Sequence, residues 1–223
     1  MNKNRHDIYA FIHKALRALM FDTVQRLGCM DVNDPADKAT ALAQADSLLS
    51  LLQAHVSHEN EFVHAALEAR RPRSSSITAD AHLEHLDGIE SLGAEIDVLR
   101  LAPSSEQART SASRLYRHMA VFVAENLQHM ALEESDNNAA LWACYSDAEL
   151  MDIHDRLLAS VEPAHKTQSL HWMLAALNPL EVAELLGGMR TQMPPPVFEG
   201  IAAMARQRLG ARAERVMGVL MPH

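Results

Sequence analysis

Three histidines of this chain are followed four residues later by a glutamate, and two of these pairs lie in helices with apolar, core-like stripes. His55 precedes Glu59, and His129 precedes Glu133. Residues four apart lie on one face of an α-helix, about one turn from each other, so their imidazole and carboxylate can bind the same metal ion. Two such helices facing each other would supply two imidazoles and two carboxylates, which suit iron, manganese or zinc. The spacing therefore predicts a metal site.

Three further histidines are candidate ligands on other predicted helices: His13 on the first, and the pair His82 and His85 on the third. They lie on apolar stripes with helical period, which indicates that their side chains point into the core. Buried imidazoles are unfavourable unless they are partnered, so this convergence predicts a hydrogen-bonded network or a metal site at one end of a bundle. By residue count His118 lies about 16 Å from His129 along their helix and is excluded.

Two residues beside these candidates have roles that the sequence leaves open. His58 is adjacent to one of the two glutamates and is either a metal ligand or a hydrogen-bonding partner of one. Tyr9 lies one turn before His13, where its phenol could hold a ligand at the metal, coordinate the metal, or belong to the core. His64 also has a glutamate four residues later, but a regular α-helix places it opposite His55. We therefore expect His64 to point away from the site.

The elements that would position these residues are helices. The chain has 8 glycines and 9 prolines among 223 residues, and apolar side chains recur with helical period along most of it. Four long helices are predicted, over about 5–28, 36–70, 79–101 and 103–141. Because the connections are short, consecutive helices should be antiparallel neighbours. The expected fold class is all-α, an up-down-up-down four-helix bundle.

The last third of the chain has a different pattern. Residues 146–223 predict three to five shorter helices, two of which start at capping boxes, Ser146–Glu149 and Asn178–Glu181. We expect a bundle domain over 1–145 and a C-terminal helical extension over 146–223. The extension could cover the site, transmit a signal or form a homodimer interface. Its histidines are expected to be bystanders: His154, His165, His171 and His223.

Composition and charge exclude several functional classes. Acidic residues outnumber basic ones 29 to 20, and the resulting net charge of -9 argues against binding to nucleic acid. Two cysteines cannot build a disulfide framework or a cysteine-based metal site. The polar N-terminus shows no secretory signal, and no apolar run is long enough to cross a membrane. We expect a cytoplasmic protein that binds neither membranes nor nucleic acid.

These motifs resemble the hemerythrin-like (HHE cation-binding) family, in its bacterial branch. The resemblance covers about residues 5–141 and rests on four motifs in order: His13, His55-x-x-x-Glu59, the pair His82/His85, and His129-x-x-x-Glu133. It implies a four-helix bundle that holds two iron ions between histidines and two bridging glutamates. The terminal ligands implied are His13, His55, His129 and one of His82 and His85.

The motifs depart from those of oxygen-carrying hemerythrins, which show H-x-x-x-H and H-x-x-x-x-D on the third and fourth helices. Here the patterns are H-x-x-H and H-x-x-x-E, which resemble the bacterial branch linked to oxygen, nitric oxide, redox or iron responses. The resemblance implies a di-iron protein that binds or senses O2 or NO, or handles iron and redox stress. The alternatives are a di-iron enzyme, for peroxide or NO reduction or iron donation to cluster repair, and a metal-free helical interaction module.

Overall fold

The structure, a computed structural model, describes residues 5–103 and 106–220, with the backbone alone described at 217–220. Throughout these ranges the chain forms helices joined by short turns, and the ranges contain no β-strand. The all-α prediction is therefore confirmed. Ser104 and Ser105, at the predicted start of the fourth helix, and the C-terminal His223 lie outside the described residues.

The chain divides into two compact units. The first consists of Met1–Ala10 and Leu19–Glu162, and the second of Phe11–Ala18 and Pro163–His223. The first long helix, α1 (Ala10–Cys29), therefore contributes residues to both units.

The other helices of the first unit are α2 (Pro35–His58), α3 (Ala65–Arg70), α4 (Ser76–Leu101), α5 (Glu106–Leu132), α6 (Asn138–Cys144) and α7 (Asp147–Ser160). A first π segment (Glu59–His64) joins α2 to α3, and a second π segment (Glu133–Asn137) joins α5 to α6. The second and fourth predicted helices thus each consist of α, π and α parts. Their antiparallel order in a four-helix bundle stays a prediction.

Side chains at the helix starts explain where two of these helices begin. Asp34 accepts hydrogen bonds from the backbone N–H groups of the two residues that follow Pro35, and the proline ring suits the first turn of α2. Ser146 and Glu149 form the predicted capping box at the start of α7. Both starts satisfy backbone donors that have no partner within the helix itself.

The core of the first unit positions the two π segments. Helix α4 packs against both α2 and α5, and fully buried side chains on these three helices include Leu48, Leu52, Leu92, Ile96, Leu115 and Met119. A separate apolar cluster brings Val63 of the first π segment together with Tyr9, Leu141, Leu150 and Ile153. Two of these side chains, Leu150 and Ile153, come from α7, which belongs to the first unit. The predicted domain boundary at residue 145 stays a prediction.

The second unit contains α8 (Pro163–Ala176), α9 (Pro179–Gln192), α10 (Pro195–Leu209) and α11 (Ala213–Leu220). Asn178 and Glu181 form the predicted capping box of α9. Gly210 ends α10 with a φ of 51°, a conformation that side chains with a Cβ rarely adopt. The apolar cluster of this unit includes Leu170, Leu174, Val182, Leu186, Leu209 and Val216. Across the described ranges, no helix is long and apolar enough to span a membrane.

Candidate metal centre

Four side chains of the first unit bring potential ligand atoms together in its core. Glu59, His82, His129 and Glu133 each offer one nitrogen or oxygen, and these atoms all lie within 4.8 Å of one another. All four residues are buried, with Glu133 wholly enclosed and Glu59 2% exposed. Nε2 of His82 lies 3.3 Å from Oε2 of Glu59 and 3.7 Å from Oε1 of Glu133. The imidazole of His82 therefore lies between the two carboxylates.

A second set of ligand atoms shares both glutamates. The ligand atoms of His55, Glu59 and Glu133 also lie within 4.8 Å of one another. Within each motif the predicted contact of residues four apart is present: Nε2 of His55 is 3.1 Å from Oε1 of Glu59, and Nε2 of His129 is 3.3 Å from Oε2 of Glu133. The two glutamates thus belong to two neighbouring groups of donors.

Each π segment begins at one of these glutamates. Glu59 is the first residue of the first π segment, and Glu133 is the first residue of the second. A π turn contains one residue more than an α turn, and such insertions occur frequently at functional sites. In the second segment Ser135 Oγ donates to the carbonyl of Ala131 at 2.9 Å. A side chain therefore helps to satisfy a backbone carbonyl beside the insertion. Both insertions thus begin at the same position, the glutamate that follows a histidine by four residues.

The extra residue explains why one prediction from helical counting is wrong. His64 was expected to point away from the site, yet it is 5% exposed and its ring stacks on His82 with centroids 4.7 Å apart and planes 11° apart. One inserted residue rotates the later side chains by about 100° relative to a regular α-helix. Counted with that rotation, His64 lies within about a quarter turn of His55 rather than opposite it.

The two histidines of α4 have different environments. Burial disfavours a charge on His82, but the nearby carboxylates of Glu133 and Glu59 outweigh it and raise the pKa of His82 to about 9. His85 is also buried, with its ring against His129 (centroids 4.8 Å apart) and Phe122, and it belongs to neither donor group. Burial first, and then the charge of His129, lower the pKa of His85 to about 4. The structure therefore brings His82, and not His85, to the two glutamates.

The acidity of Glu133 reflects competing influences. Burial and the charge of Glu59 would both raise the pKa of Glu133, but the neighbouring imidazoles of His129 and His82 prevail and hold it below its usual value. Two carboxylates at close range in a buried site repel each other unless positive charge lies between them. In the described chain, part of that positive charge comes from the protonated imidazole of His82.

Tyr9 belongs to a buried polar chain beside the site. Its hydroxyl accepts a hydrogen bond from Nδ2 of Asn137 at 3.3 Å, and the same amide donates to Oγ1 of Thr78 at 3.2 Å. Thr78 donates in turn to the carbonyl of Ser75, so it accepts from Nε2 of His64 at 3.2 Å. Burial, followed by the charges of Glu133 and Glu59, raises the pKa of Tyr9 well above its usual value. Tyr9 therefore stays a neutral phenol.

Three other histidines were considered in the sequence: His13, His58 and His118. His13 is wholly buried on α1, within the stretch Phe11–Ala18 of the second unit, and its role as a ligand stays a prediction. His58 is half-buried at the end of α2 and belongs to neither donor group. His118 lies with Nδ1 3.3 Å from Oε1 of Glu95, away from the cluster as expected.

A pair of histidines lies outside the cluster in the first unit. Nε2 of His6 is 3.0 Å from Nδ1 of His154, and the carbonyl of His6 accepts from the indole of Trp142 at 2.8 Å. Burial and the neighbouring His6 lower the pKa of His154 to about 4. Arg5 anchors the same segment by donating to Asp147 at 2.7 Å. His154 therefore has a structural partner and no part in the donor groups.

The donor set fits a metal ion. It combines imidazole nitrogens with carboxylate oxygens, the ligands that iron, manganese and zinc accept, at distances that one cation could bridge. A cation would also offset the two buried carboxylates more completely than one imidazolium can. The buried groups could therefore hold a metal ion. Sequence reasoning missed two residues that support them, Asn60 and Asn137, because no spacing pattern distinguishes these asparagines from others.

Comparison with known proteins found no match. No family model matches the chain, no curated protein is similar to it, and no solved structure is similar to it. Conclusions about the site therefore rest on its residues and their geometry.

Proposed function

We propose that this protein is of hemerythrin-like type and holds a pair of iron ions, bridged by carboxylates, within a four-helix bundle. The observation that carries the proposal is that Glu59 and Glu133 belong to both donor groups. A carboxylate placed between two sets of histidines can give one oxygen to each of two cations, which a single-ion site does not require. Manganese or zinc would fit the same donors.

The chain's own residues have distinct roles in this proposal. His55, His82 and His129 are terminal ligands, and the two glutamates bridge. His13 is a further proposed ligand, from its place in the sequence pattern. A ferrous pair, when bound, supplies electrons to O2 or a binding position for NO. The neutral phenol of Tyr9 keeps its proton in the buried site, so its hydroxyl can donate a hydrogen bond to a small ligand there.

Metal analysis tests the proposal. We expect the wild-type protein, expressed in iron-supplemented medium, to contain about two iron ions per chain, bound through deprotonated ligands whose affinity depends on pH. His129→Ala combined with Glu133→Ala should abolish binding, while His118→Ala should leave it intact because His118 contacts Glu95 instead. Less than about 0.2 metal ions per chain in the wild type would overturn the metal site and favour a helical interaction module.

Spectroscopy and turnover separate binding from catalysis. A reversible change in the optical spectrum on adding O2 or NO, without consumption of the ligand, is the result expected of a binding or sensing protein. Steady consumption of O2, peroxide or NO by the iron-loaded protein would assign an enzyme instead. The His129/Glu133 double variant is the control for both assays, because it lacks two of the proposed metal ligands and keeps the rest of the chain.

A further inference from the structure

We infer that Asn60 is a positioning residue that fixes the imidazole of His82 for metal binding, an inference that rests on the proposed function. Nδ1 of His82 lies 2.7 Å from Oδ1 of Asn60, which is a short hydrogen bond for a nitrogen donor. A carbonyl oxygen can only accept, so Nδ1 of His82 carries the proton that it donates to the asparagine.

This hydrogen bond determines which nitrogen faces the site. With the proton of Nδ1 held by Asn60, the other ring nitrogen, Nε2, is directed at Glu59 and Glu133, 3.3 Å and 3.7 Å away. A neutral imidazole protonated at Nδ1 has its lone pair on Nε2, where a metal would bind. A hydrogen bond to the non-ligating nitrogen of a histidine also orients the ring, and its removal commonly costs 10–100-fold in metal affinity.

The position of Asn60 makes this role separable from folding. Asn60 comes directly after Glu59 in the first π segment, so the turn that begins at a proposed ligand also carries the group that orients another. The asparagine itself is exposed, whereas the histidine that it holds is 1% exposed. Replacing an exposed side chain should change the core little, so an effect on His82 can be observed in a folded protein.

The experiment compares Asn60→Leu, which removes the acceptor, with Asn60→Asp, which keeps one. Gln53→Leu is the matched control, because it replaces an exposed amide seven residues earlier on the same face of α2. The first measurement is the exchange of the His82 Nδ1 proton with water, followed by NMR in the metal-free protein. We expect exchange to accelerate about tenfold or more in Asn60→Leu, and to stay near the wild-type rate in Asn60→Asp and Gln53→Leu.

The second measurement is zinc affinity, by competition with a chelator of known strength. Asn60→Leu should weaken zinc binding by about 10–100-fold, while Asn60→Asp and Gln53→Leu should bind within about threefold of wild type or more tightly. Unchanged proton exchange and unchanged affinity in Asn60→Leu would overturn the inference. A wild-type protein that binds neither zinc nor iron would overturn the proposed function, and the proton exchange would still report whether Asn60 holds His82.

Discussion

The two π segments begin with the same kind of residue, a buried glutamate that we propose as a metal ligand, and they differ in their later residues. Each starts at a buried glutamate four residues after a histidine, with His–Glu distances of 3.1 Å and 3.3 Å. The first segment goes on to Asn60 and His64, which contact His82 from two directions. The second goes on to Asn137, which bonds Tyr9 and Thr78 instead. The proposed ligands are therefore duplicated between the two segments, and the residues that support them are not.

This difference separates two kinds of contribution to the site. In the proposed two-ion site, the shared glutamates would bridge the ions, and each segment contributes one of them. The orientation of His82 depends on the first segment alone. The second segment instead organises a polar chain that ends at Tyr9. Substituting either glutamate should therefore have the same effect on metal binding. Substituting Asn60 and Asn137 should have different effects.

The largest effect is expected at the glutamates. Glu59→Gln and Glu133→Gln each keep the size of the side chain and remove its charge. Since both carboxylates belong to both donor groups, either change should weaken the binding of both ions by more than about 100-fold. Elemental analysis after gel filtration measures the metal content of each variant, and circular dichroism checks its helicity. If either variant kept one tightly bound ion, the two segments would not share their ligands as described.

A smaller effect, opposite in sign at two positions, is expected in the stability of the metal-free protein. The pKa of His82 is about 9 in the fold against 6.5 in a free histidine, so its contribution to stability is present below pH 6.5 and is lost as the pH rises through 9. The pKa of His85 is about 4, so its contribution is present above pH 6.5 and is lost as the pH falls toward 4. Each of these pKa differences, about 2.5, corresponds to a contribution of about 3 kcal/mol.

Urea unfolding at several pH values, with His82→Gln and His85→Gln, measures these contributions. His82→Gln should lose the alkaline part of the pH dependence, and His85→Gln the acidic part. If the free energy of unfolding changed with pH in the same way in both variants, the two histidines would not differ in charge state. The contacts with Glu59 and Glu133 would then not determine the charge of His82.

Most of the helical framework could be predicted from the sequence because its signals are local. Helical period, the capping boxes at Ser146 and Asn178, and the turn before Pro35 depend on residues near one another in the chain. The π segments could not be predicted, since only the 6 residues of α3 and the 7 residues of α6 follow them, too few to reveal the shifted phase of the apolar pattern. The packing of Leu150 and Ile153 against Tyr9 and Val63 could not be predicted either, because it depends on residues that are distant in the chain.

The same distinction holds for the candidate site. Residues four apart in one helical stretch lie on the same face, so the sequence predicted the contact between His55 and Glu59. The choice between His82 and His85 could not be made, because both lie on the inner stripe of α4 and only the position of the glutamates distinguishes them. His64 was misplaced for a local reason, the insertion that begins at Glu59.

The smallest effect is expected in the second segment, at Asn137. Asn137→Leu removes two hydrogen bonds, to Tyr9 and to Thr78, from a buried site and should lower the free energy of unfolding by about 2 kcal/mol. Asn138→Leu is the matched control, because Asn138 is also buried and donates one bond, to the carbonyl of Glu134 at 3.3 Å. Its expected cost is about 1 kcal/mol or less.

Zinc affinity distinguishes this segment from the first. Asn137 bonds no proposed metal ligand, so Asn137→Leu should bind zinc within about threefold of wild type, even though it is less stable. Asn60→Leu should show the reverse, with weaker zinc binding and little loss of stability. A loss of zinc affinity in Asn137→Leu as large as that in Asn60→Leu would mean that the polar chain from Tyr9 to His64 also orients the ligands, since His64 stacks directly on His82.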